Sequence, residues 1–216
     1  MIGILIALQI NNWNEDKKSR SYELSMLVEL NKAMTEDIEK LNSIIPYFKK
    51  VKNSYVELTR VKNGKEIPQD SLYKVLGLVG RYGYVLTFNK GPYESLKSNG
   101  LDKISDIETR NRISALYGDE IPNAELWVNE VLRAELYNRS EYMDSMFSPK
   151  YIVDDNKIES KLILSNIPEA LKTKTMEKLI STSWPLNGIL RQFTRMRDDM
   201  VKTKDRIKQD INNLDD

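Results

Sequence analysis

The sequence predicts an all-α protein: an elongated antiparallel helical bundle with long N- and C-terminal helices and shorter helices between them. Three observations carry that expectation. Apolar residues recur in steps of three and four near both ends, from Leu24 to Leu58 and from Leu186 to Leu214. Helix stops and starts punctuate the chain at Asn63-Gly64, Gly91-Pro92, Asn99-Gly100 and Trp184-Pro185. The composition, 40% hydrophobic and 30% charged over 216 residues, is that of a folded, helix-leaning chain with enough length for a buried core.

Nine of the first ten positions, Met1 to Ile10, are apolar or glycine, Gln9 being the exception; Trp13 follows, then the charged run Asn14-Glu15-Asp16-Lys17-Lys18. A hydrocarbon core about 30 Å thick needs about 20 apolar helical residues, so this stretch alone does not span. A signal peptide would want a basic region before the apolar core and a small-residue cleavage site after it, and neither is present. Three readings remain: a buried core helix, a monotopic anchor, or the C-terminal half of a transmembrane helix. The third is the expectation. Trp13 stands at the apolar-to-polar boundary, where an interfacial aromatic belongs, and the segment is apolar all round where a soluble helix shows a polar stripe.

From Ser21 a heptad seam runs through Leu24, Leu27, Met34, Ile38, Leu41, Ile45 and Phe48, then with a one-residue phase slip through Val51, Tyr55 and Leu58. Glu29, Lys32, Glu36, Asp37, Glu39 and Lys40 lie between the seam positions and are expected on a solvated face. Asn31 interrupts the seam, either facing a solvated gap or setting register in a dimeric coiled coil. Pro46 predicts a kink. A helix over about 20–62 would be roughly 60 Å long, and Gly64 is suited to cap it.

Asp70 or Ser71 can cap a short helix through Tyr82 with Leu72, Val75, Leu76 and Val79 inward; Gly77, Gly80 and Gly83 punctuate it, allowing close helix approach, with a hinge as the alternative. The densest group of special residues follows, from Thr87 to Leu101. Gly91-Pro92 starts a two-turn helix and Asn99-Gly100 stops it. Its N-terminal amides beside Lys90 could hold an anion, which makes Lys90, Tyr93, Lys97 and Asn99 candidate ligand or partner contacts. The alternative is that Tyr93 and Leu96 pack inward and the rest is capping. The string lacks the glycine spacing and the Lys-Ser/Thr ending of a P-loop, so nucleotide binding finds no support.

Ser105-Asp106-Ile107-Glu108 has the capping-box pattern, opening a helix with Ile107, Ile113, Leu116 and Tyr117 inward. Ile121-Pro122 breaks or kinks it, and Leu126, Trp127, Val131, Leu132 and Leu136 continue the apolar stripe. Glu120, Glu125, Glu130 and Glu135 recur every five residues, which walks around a helix and forms no carboxylate cluster. Residues 144–160 read as an irregular loop, with Asp154, Asp155 and Asn156 as turn chemistry. Pro168 opens a helix through Ile180 with Leu171, Met176 and Leu179 inward. The final seam takes Ile189 or Leu190, Phe193, Met196, Met200, Ile207, Ile211 and Leu214. Its basic residues are offset by Asp198, Asp199, Asp205 and Asp210, so the face is solvated and not a nucleic-acid stripe.

The inventory narrows chemistry further. With 33 Lys+Arg against 32 Asp+Glu the formal charge is +1, no global field for nucleic acid or anionic membrane. The chain has no histidine and no cysteine, which removes Ser-His-Asp and Cys-His triads, zinc fingers, disulfides and thiol switches. Carboxylates, lysines, tyrosines, hydroxyls and backbone remain. No metal or cofactor is expected.

The string GILIALQINNWNEDKK resembles the membrane-exit segment of a family of uncharacterised single-span membrane proteins of Bacteroidota. The likeness is close over residues 2–18. Beyond residue 20 it is looser, covering a long helix, the stretch GPYESLKSNG and a helix containing Tyr117. It implies an anchor preceded by a basic tail and a further half-span, a helical domain, and no defined activity. The division expected is therefore a partial transmembrane anchor over 1–13 and a helical bundle domain over 14–216. The expected function is a membrane-anchored sensing or protein-interaction module without intrinsic catalysis, with the bilayer as partner through residues 1–13, a homodimer or protein partner besides, and no nucleic acid. The positive-inside rule, applied to the basic tail that the resemblance implies, places it as a single span in the inner membrane with a periplasmic domain, Lys17, Lys18 and Arg20 pulling weakly the other way. The alternatives are a small-anion binder or carboxylate/lysine enzyme sited near residues 90–99, and a soluble helical interaction protein.

Overall fold

The computed structural model describes residues 2–81, 83, 85–154, 157–164 and 173–215. Helix α1 runs without a break over Ile2–Lys62, 61 residues, passing through Pro46. After it come α2 (Gln69–Arg81), α3 (Gly91–Asn99), a single 3-10 turn (Leu101–Lys103) and α4 (Ile107–Ala115). Helix α5 (Ile121–Leu126) lies between two widened π-helical turns, Leu116–Glu120 and Trp127–Leu132, and α6 (Arg133–Met146) follows. Strands β1 (Phe147–Asp154) and β2 (Lys157–Leu164) precede α7 (Lys174–Ser181) and α8 (Leu186–Asp215). The protein is an all-α bundle with long first and last helices, carrying one β-hairpin.

Backbone proximity divides the chain into two compact units. The first comprises Met1–Ser43, Thr87–Ala124 and Phe193–Asp216. Its buried side chains include Leu27, Leu30, Met34 and Leu41 of α1, Leu96 of α3, Ile113 of α4, and Met196, Met200 and Ile207 of α8. Each such aliphatic burial contributes about 1.5–3 kcal/mol, so the stripe outweighs any single polar contact beside it. Arg20 donates to the carbonyls of Leu214 and Asn213, each at 3.1 Å, satisfying two of the orphan acceptors at the end of α8.

Several expectations are corrected in this unit. Ser105 is not the cap of α4: its N–H and its hydroxyl both donate to Glu23 Oε1 at 2.7 Å, and the cap is Asp106, which accepts from the Thr109 N–H at 2.7 Å. Ile107, at the first helical position, lies off the face that buries Thr109, Ile113, Leu116 and Tyr117 and is 64% exposed. Asp37, expected on the solvated face, is fully buried. At Pro122 the helix neither breaks nor ends. The π-helical turn Leu116–Glu120 widens the backbone just before it, where a proline cannot donate to an ordinary turn.

The second unit comprises Ile44–Leu86 and Glu125–Gln192. Phe48, Val51, Tyr55 and Leu58 of α1, Leu72, Leu76 and Val79 of α2, and Met176 and Leu179 of α7 are buried in it. Helix α1 ends at Gly64, whose φ of +103° is the left-handed conformation that glycine takes at least cost. A Cβ at Gly80 would stand 2.5 Å from Met143 Cε, so this glycine permits the close approach of α2 to α6. Inside, the Tyr55 and Thr182 hydroxyls bond at 2.7 Å, and the Asn129 amide bonds both the N–H and the carbonyl of Leu86, at 2.9 and 2.8 Å.

Phe147–Asp154 and Lys157–Leu164 pair as antiparallel strands, Phe147 with Leu164 and Asp154 with Lys157, where an irregular loop is expected from the sequence. Pro149 does not prevent pairing, because in a two-stranded ribbon each strand has a free edge on which proline is tolerated. Leu132 is buried as expected, but Leu126 and Trp127 are exposed, at 59% and 41%, and Val128 is buried in their place. The stripe through Ile121, Ala124, Val128 and Leu132 keeps steps of three and four, which leaves Leu126 and Trp127 off it. Helix α7 starts at Lys174 under the cap Thr173, whose hydroxyl accepts from Met176 N–H at 3.2 Å. The predicted start at Pro168, Leu171, and Asp155-Asn156 lie outside the described residues.

Candidate functional site

The first feature to weigh is the start of α1. Residues 3–21 are exposed throughout, and Ile4, Leu5, Ile6, Leu8 and Ile10 are each between 50% and 68% exposed. They are therefore not part of this chain's core, which removes the reading of a buried N-terminal helix. Trp13 is 63% exposed with the Lys17 ammonium 5.3 Å from its ring, and Lys18 pairs with Glu15 at 3.1 Å. No helix among the described residues is long and apolar enough to cross a membrane.

The second is the segment around α3. Lys90 occupies its N-cap without a side-chain cap bond, Pro92 sits in the first turn, and Gly100, at φ +103°, closes it. The four candidate residues do not converge. Tyr93 is buried and stacks on Tyr117 with ring centroids 5.5 Å apart and planes 20° apart. Lys97 and Asn99 are exposed, and Asn99 donates to the Ser95 carbonyl at 2.9 Å. Lys90 is half-buried and its carbonyl accepts from Glu94 N–H at 2.9 Å.

What lies behind Tyr93 was not foreseen. The Asp37 carboxylate accepts the Asn89 N–H at 3.1 and 3.2 Å from its two oxygens, with the Lys40 ammonium 3.6 Å away. Lys40 also donates to the Thr87 carbonyl. Together they pin the segment before α3 to α1. Burial pushes the Asp37 carboxyl above its ordinary range, the Asn89 and Lys40 contacts only partly opposing it. Burial and the charge of Asp37 push the Tyr117 phenol up as well. Both groups are enclosed, so the geometry holds a loop in place and offers neither one to a substrate. The signal for Asp37 was present: Leu30, Ala33, Asp37, Leu41 and Ile44 follow steps of three and four beside the seam.

A third cluster is open to solvent. Arg206 donates to both oxygens of Asp106, at 3.1 and 3.0 Å, and pairs with Glu108 at 2.9 Å, while the Thr109 hydroxyl donates to Asp210 at 2.5 Å. The Arg206 hydrogen bonds, with that of Thr109 N–H, hold the Asp106 carboxyl well below its usual range. Among the described residues no group of three or more acidic side chains is arranged to hold a metal ion.

These features define a class: a helical bundle domain continuous with a helix whose first turns are apolar and exposed. The chain belongs to a family of unknown function, DUF6090, whose model matches residues 1–118, from the apolar turns of α1 through the stacked pair Tyr93 and Tyr117. No curated protein and no solved structure matches the chain.

Proposed function

We propose that the protein is a membrane-anchored helical interaction module without catalysis of its own, residues 1–13 supplying the exit half of a single inner-membrane span and the bundle standing in the periplasm. The carrying observation is the exposure of Ile4, Leu5, Ile6, Leu8, Ile10 and Trp13 on a helix that continues into the bundle. Removing that surface from water is worth on the order of 10 kcal/mol. These side chains lie on every side of the helix, and a surface-lying helix would cover only one side, which favours a span. The resemblance of residues 2–18 to single-span proteins of Bacteroidota supports the same reading and the periplasmic side. The absence of a catalytic role is supported by the divergence of Lys90, Tyr93, Lys97 and Asn99 and the enclosure of Asp37.

The test is fractionation of the native gene product with single-cysteine topology mapping, which is clean because the chain has no cysteine of its own. Retention in the membrane pellet after carbonate washing is expected. A Lys50→Cys variant is expected to react with a membrane-impermeant maleimide in intact spheroplasts. Recovery in the soluble fraction without detergent would end the anchor, and labelling only after lysis would reverse the orientation.

A further inference from the structure

In the second unit the two exposed indoles come together. Trp127 and Trp184 meet edge to face at 70°, ring centroids 6.1 Å apart, and the Trp184 indole N–H donates to Glu135 Oε1 at 3.2 Å, which fixes the ring. They wall a surface cleft of about 360 Å³ that Ile189 closes on its apolar side. Trp127 reaches it from the π-helical turn, and widened turns of this kind recur at functional sites. The polar lining is Asn187, Arg191 and Gln192, and among the described residues of the lining Arg191 alone is charged. The first turn of α8, which holds Asn187 and Gly188, adds a field of the same sign.

We infer that this cleft binds a small aromatic carboxylic acid, its ring against Trp127 and Trp184 and its carboxylate on Arg191. The volume lies at the low end of the range for small-molecule sites, an apolar body with a few convergent polar groups. Two indole walls at a steep angle fit a planar ring, stacked on one and edge-on to the other. A guanidinium at the rim selects a carboxylate because its fork matches the two oxygens. A cationic ligand is disfavoured by that same group. The assignment does not depend on the membrane anchor.

The full chain in non-ionic detergent, labelled with 15N, offers three indole N–H resonances, one for each tryptophan. Titration with 3-phenylpropionate is expected to shift the Trp127 and Trp184 resonances saturably, with a midpoint near about 1 mM, and to leave Trp13 in place as internal control. Arg191→Gln and, separately, the neutral amide of the probe are each expected to weaken binding about tenfold or more. At Gly188 an added Cβ meets nothing within 4 Å, so Gly188→Leu can fill the cleft without disturbing the helix; it is expected to abolish the shift with the circular dichroism unchanged. No saturation at tens of millimolar, equal binding of acid and amide, or full binding by Gly188→Leu would each overturn the inference. A peptide ending in phenylalanine that bound more tightly than the free acid would overturn the small-molecule assignment in favour of a chain terminus.

Discussion

Tyr117→Phe should make the protein more stable. The Tyr117 side chain is 1% exposed, and its hydroxyl finds no hydrogen-bond partner among the described residues. A buried polar group without a partner costs about 1–3 kcal/mol relative to its hydrated state. Phenylalanine removes that group and keeps the ring, and with it the stack on Tyr93. The expected gain is about 1 kcal/mol or more, which for a chain of this length raises the melting temperature by about 2–4 °C per kcal/mol. Tyr117→Leu is the companion: it also removes the hydroxyl but forfeits the aromatic pair, worth about 0.5–1.5 kcal/mol, and leaves a gap, so it should lie below Tyr117→Phe by at least that amount. Thermal unfolding followed by circular dichroism at pH 7 measures both. The linkage gives a second reading. With the folded-state phenol raised above its ordinary 10.0, the unfolded chain loses this proton first as pH climbs past that value, so wild-type stability falls there by a term that Tyr117→Phe lacks. A Tyr117→Phe protein that melts lower than wild type would mean that the hydroxyl is satisfied and the reasoning wrong.

Asp106 combines a helix cap with the Arg206 pair, and Asp106→Ala should cost about 1 kcal/mol, up to about 2, through the cap alone, whereas Asp106→Asn should retain most of the cap; urea denaturation separates them. Because the Asp106 carboxyl is lowered by its Arg206 and Thr109 bonds, the stability that it contributes is present above its ordinary 3.8 and is lost as pH falls through the folded-state value, a dependence absent from Asp106→Asn. Asp37 runs the opposite way. Its carboxyl is raised by burial, so the stability of wild type relative to Asp37→Asn should fall as pH rises from 3.8 through the folded value, with chemical denaturation between pH 3 and pH 7 as the measurement; a rise would contradict its burial.

The parts of this fold that were legible are those set by local period. Leu27, Met34, Leu41, Phe48 and Leu58 in α1, and Phe193, Met196, Met200 and Ile207 in α8, are buried where the three-four spacing puts them. Gly64 and Gly100 end their helices for a reason that resides in glycine itself. What escaped are partners distant in sequence. The burial of Asp37 was in the spacing, but the Asn89 amide that comes to it was not, nor was Glu23, which receives both donors of Ser105. The exposure of Trp127 was legible in the spacing: the buried residues Tyr117, Ile121, Ala124, Val128 and Leu132 keep steps of three and four, and Trp127 lies off that stripe. Its meeting with Trp184 is tertiary, so the cleft had no local signature. The paired strands also escaped, because each finds its partner only across the other strand and Pro149 lies within the first of them, where edge geometry tolerates it.

The junction between apolar turns and packed bundle gives the proposed anchor a geometric consequence. Burial along α1 begins at Tyr22 and Glu23, where Glu23 receives Ser105 and where Arg20 holds the end of α8. Between Trp13 and that point lies an exposed charged collar, Asn14 to Arg20, with its own pairing of Lys18 to Glu15. At 1.5 Å per residue the collar is about 10 Å long. The headgroup layer on one side of a bilayer is about 5–7 Å thick. With Trp13 at the hydrocarbon boundary, as proposed, the collar therefore crosses the headgroups and the first tertiary contacts of the bundle stand just clear of them. A bundle set closer would force Glu23 and Ser105 against lipid phosphates; one set much farther would need a linker. The length of the collar thus fits the proposed arrangement, in which one helix would both enter the bilayer and hold the domain directly above it.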